Sequence, residues 1–228
     1  MKAVILAAGE GLRMRPLTLE KPKPMLKVAG KPLLAHIWES LPSAIDEVIL
    51  VVGYKADAIR QYFGSEYLGK KITYIFQNEK TGTGRALQLC RSALNNERFL
   101  LLYADDLHHR ESIGKCLAHE RALLVAHRDD PRKFGVVITD VKNRIIDIEE
   151  KPEHPRSNQV VVGVYVLDSH IFDYEPARSA SGEYFLTDML GQMLREHDVF
   201  VVETKFWHPI GYPEDLKTAE EILKRLMP

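Results

Sequence analysis

Residues 3–34 read AVILAAGEGLRMRPLTLEKPKPMLKVAGKPLL, and the reading of this run decides the fold. Val4, Ile5 and Leu6 make an apolar, β-type stretch that empties into a loop holding Gly9 and Gly11, followed by the cations Arg13, Arg15, Lys21, Lys23 and Lys27. Glycines let backbone N–H groups approach a polyphosphate closely, and fixed cations offset the charge of an incoming anion. The run therefore predicts a strand feeding a phosphate-binding loop. Two better-known Gly-rich loops do not fit it. A Walker A loop needs Lys-Ser or Lys-Thr after its last glycine, which is absent, and a dinucleotide loop needs a third glycine where Met14 stands.

Outward from this run, short apolar stretches alternate with helical patterns, which predicts βαβ units and a mostly parallel sheet. Strands are expected at 4–7, 47–52, 72–76 and 99–103, with helices from Pro32 to about Leu41, Lys55 to Phe63 and Gly84 to Leu94. These strands are apolar almost throughout, as expected when helices cover both faces. After Arg121 the texture changes, with strands expected at 123–127, 136–139, 144–148 and 160–167 and little helix between them. A helix from about Tyr184 to Glu196, a strand at 199–203 and a helix from about Pro213 to Leu226 close the chain. The Pro-rich Lys151-Pro152-Glu153-His154-Pro155 resembles a boundary, but the strand after it is needed to complete the sheet, so residues 1–228 are expected to form one domain.

Composition narrows the partners. Lys plus Arg total 31 against 32 Asp plus Glu, a net charge of −1, so the basic cluster is local and gives no footing for nucleic-acid or membrane-surface binding. Cys90 and Cys116 lie outside any C-x-x-C spacing, which fits a reduced interior better than a disulfide framework or zinc site. No apolar run approaches the ~18 residues of a membrane span, and no leader pattern precedes the first strand. The expected location is cytoplasmic.

The opening run resembles the G-x-G-x-R-x-x-P-L-T…K-P-K-P-M-L pattern of the sugar-1-phosphate nucleotidylyltransferases, also called sugar-nucleotide pyrophosphorylases. A basic solvated turn would need Gly9, Gly11, Arg13, Pro16-Leu17-Thr18 and Lys23-Pro24 to coincide by chance. The resemblance implies an α/β fold, a Rossmann-like three-layer sandwich around a central mixed, mostly parallel sheet. It also implies the reaction of a nucleoside triphosphate with a sugar 1-phosphate to give a nucleotide-sugar and pyrophosphate, with Mg²⁺ as cofactor. A homo-oligomer is compatible with it. The chain is expected to carry the catalytic domain without the β-helix acyltransferase domain that some relatives append.

Four later segments resemble the same family in order. Gln77-Asn78-Glu79-Lys80-Thr81-Gly82-Thr83-Gly84 leaves a strand and enters a helix, where N–H groups and the positive helix end can meet a base or phosphate; a bland loop with a Gly cap would look much the same. In the family a Gln five residues before such a Gly is typical of uracil- and thymine-binding members, so UTP or dTTP is implied. Leu6, Ala8, Gly9, Gly11, Gln77 and Gly82 take the nucleotide-binding places by resemblance. Arg13 takes the pyrophosphate clamp, and Lys23 bridges triphosphate and sugar phosphate.

Leu101-Leu102-Tyr103-Ala104-Asp105-Asp106 places carboxylates just past a parallel strand, where ligands bind in open α/β sheets, and Asp105 aligns with the family's metal aspartate. An Asp pair capping the next loop is the plainer alternative. His108 and His109, with no third ligand nearby, do not argue for zinc. Phe134-Gly135-Val136-Val137 and Ile148-Glu149-Glu150-Lys151-Pro152 supply the sugar side by resemblance. Gly135 lies under the ring, Glu150 accepts hydroxyl hydrogens and Lys151 holds the phosphate.

The match breaks at Trp207-His208-Pro209-Ile210-Gly211-Tyr212-Pro213-Glu214-Asp215-Leu216. Relatives commonly read W-x-D-[VI]-G-x-P-x-D-L, where the first Asp is the second metal ligand, and here Pro209 occupies that place. Either one carboxylate with phosphates and water holds the Mg²⁺, or His208 or Asp215 substitutes, or activity is lost. Three rivals follow: a catalytically inactive nucleotide-sugar-binding regulatory homologue, a cytidylyltransferase acting on phosphocholine, and a metal-dependent glycosyltransferase. The last has no need of the Arg13 and Lys23 set.

Overall fold

Strand β1 (Lys2–Ala7) has Ala3, Val4 and Ile5 fully buried, as its uninterrupted apolar sequence requires. The structure, a computed structural model, describes residues 1–226. After β1 come three short 3₁₀ turns, the two-residue strands β2 (Lys27–Val28) and β3 (Lys31–Pro32), and α1 (Leu33–Glu39). β4 (Glu47–Val52), α2 (Ala56–Phe63), β5 (Glu66–Tyr67) and β6 (Lys70–Phe76) follow, then α3 (Thr83–Gln88), α4 (Arg91–Leu94) and β7 (Phe99–Tyr103). The second half runs β8 (Asp106–His108), α5 (Arg110–Cys116), β9 (Ala122–His127), β10 (Gly135–Thr139), β11 (Ile145–Glu150) and β12 (Gln159–Leu167). It closes with α6 (Leu186–Met193), β13 (Phe200–Glu203), β14 (Trp207–Pro209) and α7 (Pro213–Leu226).

The main sheet follows the order β11-β10-β12-β7-β1-β4-β6-β5, with β9 also on β12 and β13 on β9. β6, β4, β1 and β7 form a parallel block, and β12 enters antiparallel between β7 and both β9 and β10. Following the pairings outward among the described residues, β1, β4, β6, β7, β9, β10 and β13 share one direction, opposed by β5, β11 and β12. The sheet is mixed and mostly parallel, as expected.

Strand alternation sorts its side chains onto two cores. Ile5, Leu50, Leu100 and Leu102 pack with Trp38 of α1, Ile59 of α2 and Ile113 of α5. Val4, Ile49 and Leu101 pack on the other side with Leu87 of α3 and Met189 of α6. Helices thus cover both faces, giving the three-layer sandwich.

Two expected helices are shorter than their patterns. The run 84–94 breaks at Leu89 and Cys90 into α3 and α4. The run from Tyr184 begins only at Leu186, because the Tyr184 backbone is used elsewhere: its N–H donates to Thr81 O at 2.8 Å, and its carbonyl accepts from Gly84 N at 2.8 Å.

Candidate active site

The first cavity opens where β1, β6 and β7 end. Ala104 N donates to Leu6 O at 3.1 Å and Tyr54 N to Ala8 O at 3.4 Å, which ties the loop after β1 to its neighbours. Gly11 sits at φ +62°, and a Cβ there would meet Lys23 Cβ at 2.9 Å, so only glycine lets the loop pass Lys23. Thr18 Oγ1 donates to Gly11 O at 2.9 Å and closes the turn. At Gly9 a Cβ would meet nothing within 4 Å, so its lack of a side chain leaves the loop open toward the cavity instead of relieving a clash.

Leu6, Ala8, Gly9, Gly11, Gln77 and Gly82, together with Arg13, Lys23 and Asp105, line this cavity of about 520 Å³. Gln77 leaves β6 with its N–H bound to Val52 O at 2.8 Å. Its side-chain amide leans over the following loop, donating to Gly82 O at 3.3 Å and Thr81 Oγ1 at 3.4 Å. Both contacts are long, so the amide is positioned yet weakly held. Lys23 is buried, and its Nζ donates to Asp105 Oδ2 at 3.0 Å. Sequence reading missed Lys80, which lines the same cavity and pairs with Glu10. An acid inside a glycine loop gives no sign of its partner.

A second cavity of about 740 Å³ adjoins the first, and Gly135, Glu150 and Lys151 line it. Gly135 and Glu150 are register partners across β10 and β11. A Cβ at Gly135 would press Thr187 Cγ2 at 3.1 Å, and Thr187 Oγ1 donates to Glu150 Oε2 at 2.8 Å. Lys151 Nζ lies 3.3 Å from Glu150 Oε1, and its N–H is fixed by Phe134 O at 3.0 Å. Arg13, Thr83, Tyr103, Asp105 and Glu183 line both cavities and mark their common boundary. Tyr103 shares a hydrogen bond of 3.2 Å with Tyr165, and burial holds its hydroxyl well above the usual phenol range.

The two adjacent aspartates differ sharply. Asp105 is partly exposed beside Lys23. Asp106 is the register partner of Pro209 in the β8–β14 pair, and it accepts from Trp207 Nε1 at 2.8 Å and Ile210 N at 3.3 Å. Burial, then the charge of Asp105, pushes the Asp106 carboxyl up to about 7. Both suggested substitutes for the missing aspartate are engaged in hydrogen bonds within the protein. Asp215 Oδ2 accepts from Gly211 N at 2.8 Å and Tyr212 N at 2.7 Å, capping the approach to α7, and His208 Nε2 lies 3.0 Å from Asp215 O. His108 is enclosed, neither ring nitrogen has a partner, and burial pushes it down to about 4.

Among the described residues no three His, Cys, Asp or Glu side chains converge as a preformed cation site. The partly exposed carboxylate of Asp105, which lines both cavities, fits a hard cation that takes its remaining ligands from substrate phosphates and water. Cys90 and Cys116 are buried thiols, each pushed up to about 12 by burial, and lie outside both cavities.

The family model described as nucleotidyl transferase matches residues 2–225, and the chain belongs to that family. It is 36% identical over 226 residues to the bifunctional protein GlmU of Methanocaldococcus jannaschii, covering 98% of this chain and 54% of that protein. The chain thus spans about half the length of such relatives. It is 35% identical to the UTP–glucose-1-phosphate uridylyltransferase AglF of Haloferax volcanii, covering 98% of this chain and 97% of that one. Among solved structures, a Bacillus anthracis protein described as a glucose-1-phosphate thymidylyltransferase, in complex with sucrose, matches with a TM-score of 0.87 at 30% identity over 97% of this chain and 94% of that one. No helix among the described residues is long and apolar enough to cross a membrane.

Proposed function

We propose that the chain is a sugar-1-phosphate nucleotidylyltransferase, acting as one domain, that transfers UMP or dTMP from the triphosphate to a sugar 1-phosphate and releases pyrophosphate. The observation that carries this reading is the meeting of the two cavities at Arg13, Tyr103 and Asp105. Two anionic substrates seated side by side there would present the sugar-phosphate oxygen to the α-phosphorus in line with departing pyrophosphate. The nucleophile is already an anion, so the protein's task is to bring two polyanions together and stabilise charge on the leaving group.

Arg13 serves as the pyrophosphate clamp, and its guanidinium is backed by the Tyr212 ring at 5.3 Å. Lys23 faces both phosphates from a buried position, Lys151 seats the sugar phosphate and Glu150 accepts sugar hydroxyls. Asp105 would hold Mg²⁺, which supplies charge neutralisation along the triphosphate. The pyrimidine reading rests on Gln77 above Gly82; the relatives do not settle it, since a mannose-1-phosphate guanylyltransferase of Mycobacterium tuberculosis is 31% identical over 99% of this chain. Pyrophosphate release from each nucleoside triphosphate paired with a panel of sugar 1-phosphates tests the proposal. UTP or dTTP with one sugar 1-phosphate is expected to react fastest.

A further inference from the structure

Arg128 follows β9 and takes none of the roles above. Its guanidinium lies over the indole of Trp207, 4.5 Å from the ring centroid. Trp207 is itself held by Phe134 edge-on at 5.3 Å and by its hydrogen bond to Asp106. The Arg128 N–H donates to Asn158 O at 3.0 Å, so the backbone is fixed as well. A planar cation stacked in this way is a placed group rather than a mobile surface charge.

It lines the larger cavity with Glu150 and Lys151. Its Nε is enclosed and has no hydrogen-bond partner. The neighbouring acid Asp130 is engaged by Arg132, at 2.7 and 3.0 Å, and Asp129 lies exposed on the rim of the same cavity. An enclosed donor without a partner is unfavourable unless a ligand completes it, and the guanidinium fork matches the oxygens of a carboxylate or phosphate.

We infer that Arg128 seats an acidic oxygen group of the sugar-side substrate and so selects among sugar 1-phosphates. This rests on the reading of the larger cavity as the sugar-phosphate site. With Lys151 assigned to the 1-phosphate and Arg13 to pyrophosphate, Arg128 and Lys133 remain among the cations lining this cavity, and Arg128, held by the Trp207 ring, is the one placed for a second anionic group, such as the carboxylate of a uronic acid.

The test compares glucose 1-phosphate with glucuronate 1-phosphate, each with UTP, in wild type and Arg128→Met, alongside calorimetric binding of glucuronate 1-phosphate. Wild type is expected to favour the acidic sugar by about tenfold or more in kcat/KM, and Arg128→Met to erase that preference through KM while KM for UTP holds. Equal losses for both sugars would overturn the inference, since Arg128 would then act without selecting between them. Unchanged KM for both sugars in a variant that melts like wild type overturns the inference. Should Arg128→Met melt low, Arg128→Lys, which keeps the charge and loses the fork, is expected to lose part of the preference, and full retention there overturns it equally. Wild type that releases no pyrophosphate, yet binds glucuronate 1-phosphate in a manner abolished by Arg128→Met, defeats the transferase reading and leaves Arg128 assigned.

Discussion

Lys23 is a buried cation whose Nζ meets Asp105 at 3.0 Å, at the edge of the first cavity. A point charge facing the reacting phosphates in an enclosed site stabilises them strongly, so Lys23→Ala is expected to lower turnover by about 10²-fold with the thermal melt unchanged. Turnover near that of wild type would remove Lys23 from the mechanism. Gln77→Ala deletes an amide above Gly82 and leaves the glycine loop intact, so it is expected to relax the choice among UTP, dTTP, CTP and GTP more than it weakens triphosphate binding. An unchanged preference order would make Gln77 structural. Asp105→Asn is expected to abolish Mg²⁺-dependent activity, whereas Asp215→Asn should leave the Mg²⁺ requirement alone, because Asp215 Oδ2 already accepts from the amides of Gly211 and Tyr212 at the start of α7. A parallel rise in the Mg²⁺ requirement for both variants would show that the ligand set includes Asp215. The glycines and cations were legible because their chemistry is local to a few residues. The contrast between Asp105 and Asp106 was not, since adjacent carboxylates look alike until β14 folds Trp207 over one of them.

Among the elements, the start of α3 is the joint most sensitive to change. Gly82 lies at φ +94°, and a Cβ would meet Tyr184 O at 2.5 Å and Tyr184 N at 2.7 Å, both backbone atoms that cannot swing aside. Gly82→Ala is therefore expected to destabilise the fold by about 2 kcal/mol or more, read by denaturant unfolding, because positive φ and backbone contact penalise it together. A loss below about 0.5 kcal/mol would mean that the segment around Tyr184 yields easily. The parallel block was readable from its apolar runs, which carry their own length and flanking breaks. β8 and β14 were not, being three residues each and holding His108, Trp207 and Pro209, with no period to betray them. Their pairing joins segments about a hundred residues apart, a contact that no local pattern records. The split of the 84–94 helix was hidden for a related reason, since its periodicity continues through the break at Leu89 and Cys90.

Over the whole molecule, one sheet with a core on each face places the first cavity at the carboxyl ends of its parallel strands, where ligand sites in such sheets belong, and the second beside it over β10, β11 and β12. The order of segments along the sequence indicated this arrangement, but not that Tyr103, Thr83 and Glu183 would join Arg13 and Asp105 at the boundary. Those three come from a strand end, a helix start and a loop, each unremarkable in its own stretch. The central claim is that both cavities fill together for one transfer. The most direct measurement follows pyrophosphate and nucleotide-sugar simultaneously in a mixture of UTP or dTTP, sugar 1-phosphate and Mg²⁺. The expected result is equimolar formation of both products, with no pyrophosphate when either substrate is omitted. Pyrophosphate release without sugar 1-phosphate, or calorimetric nucleotide binding with no release under any pairing, would contradict the claim, and the second outcome would make the chain a regulatory nucleotide-binding homologue.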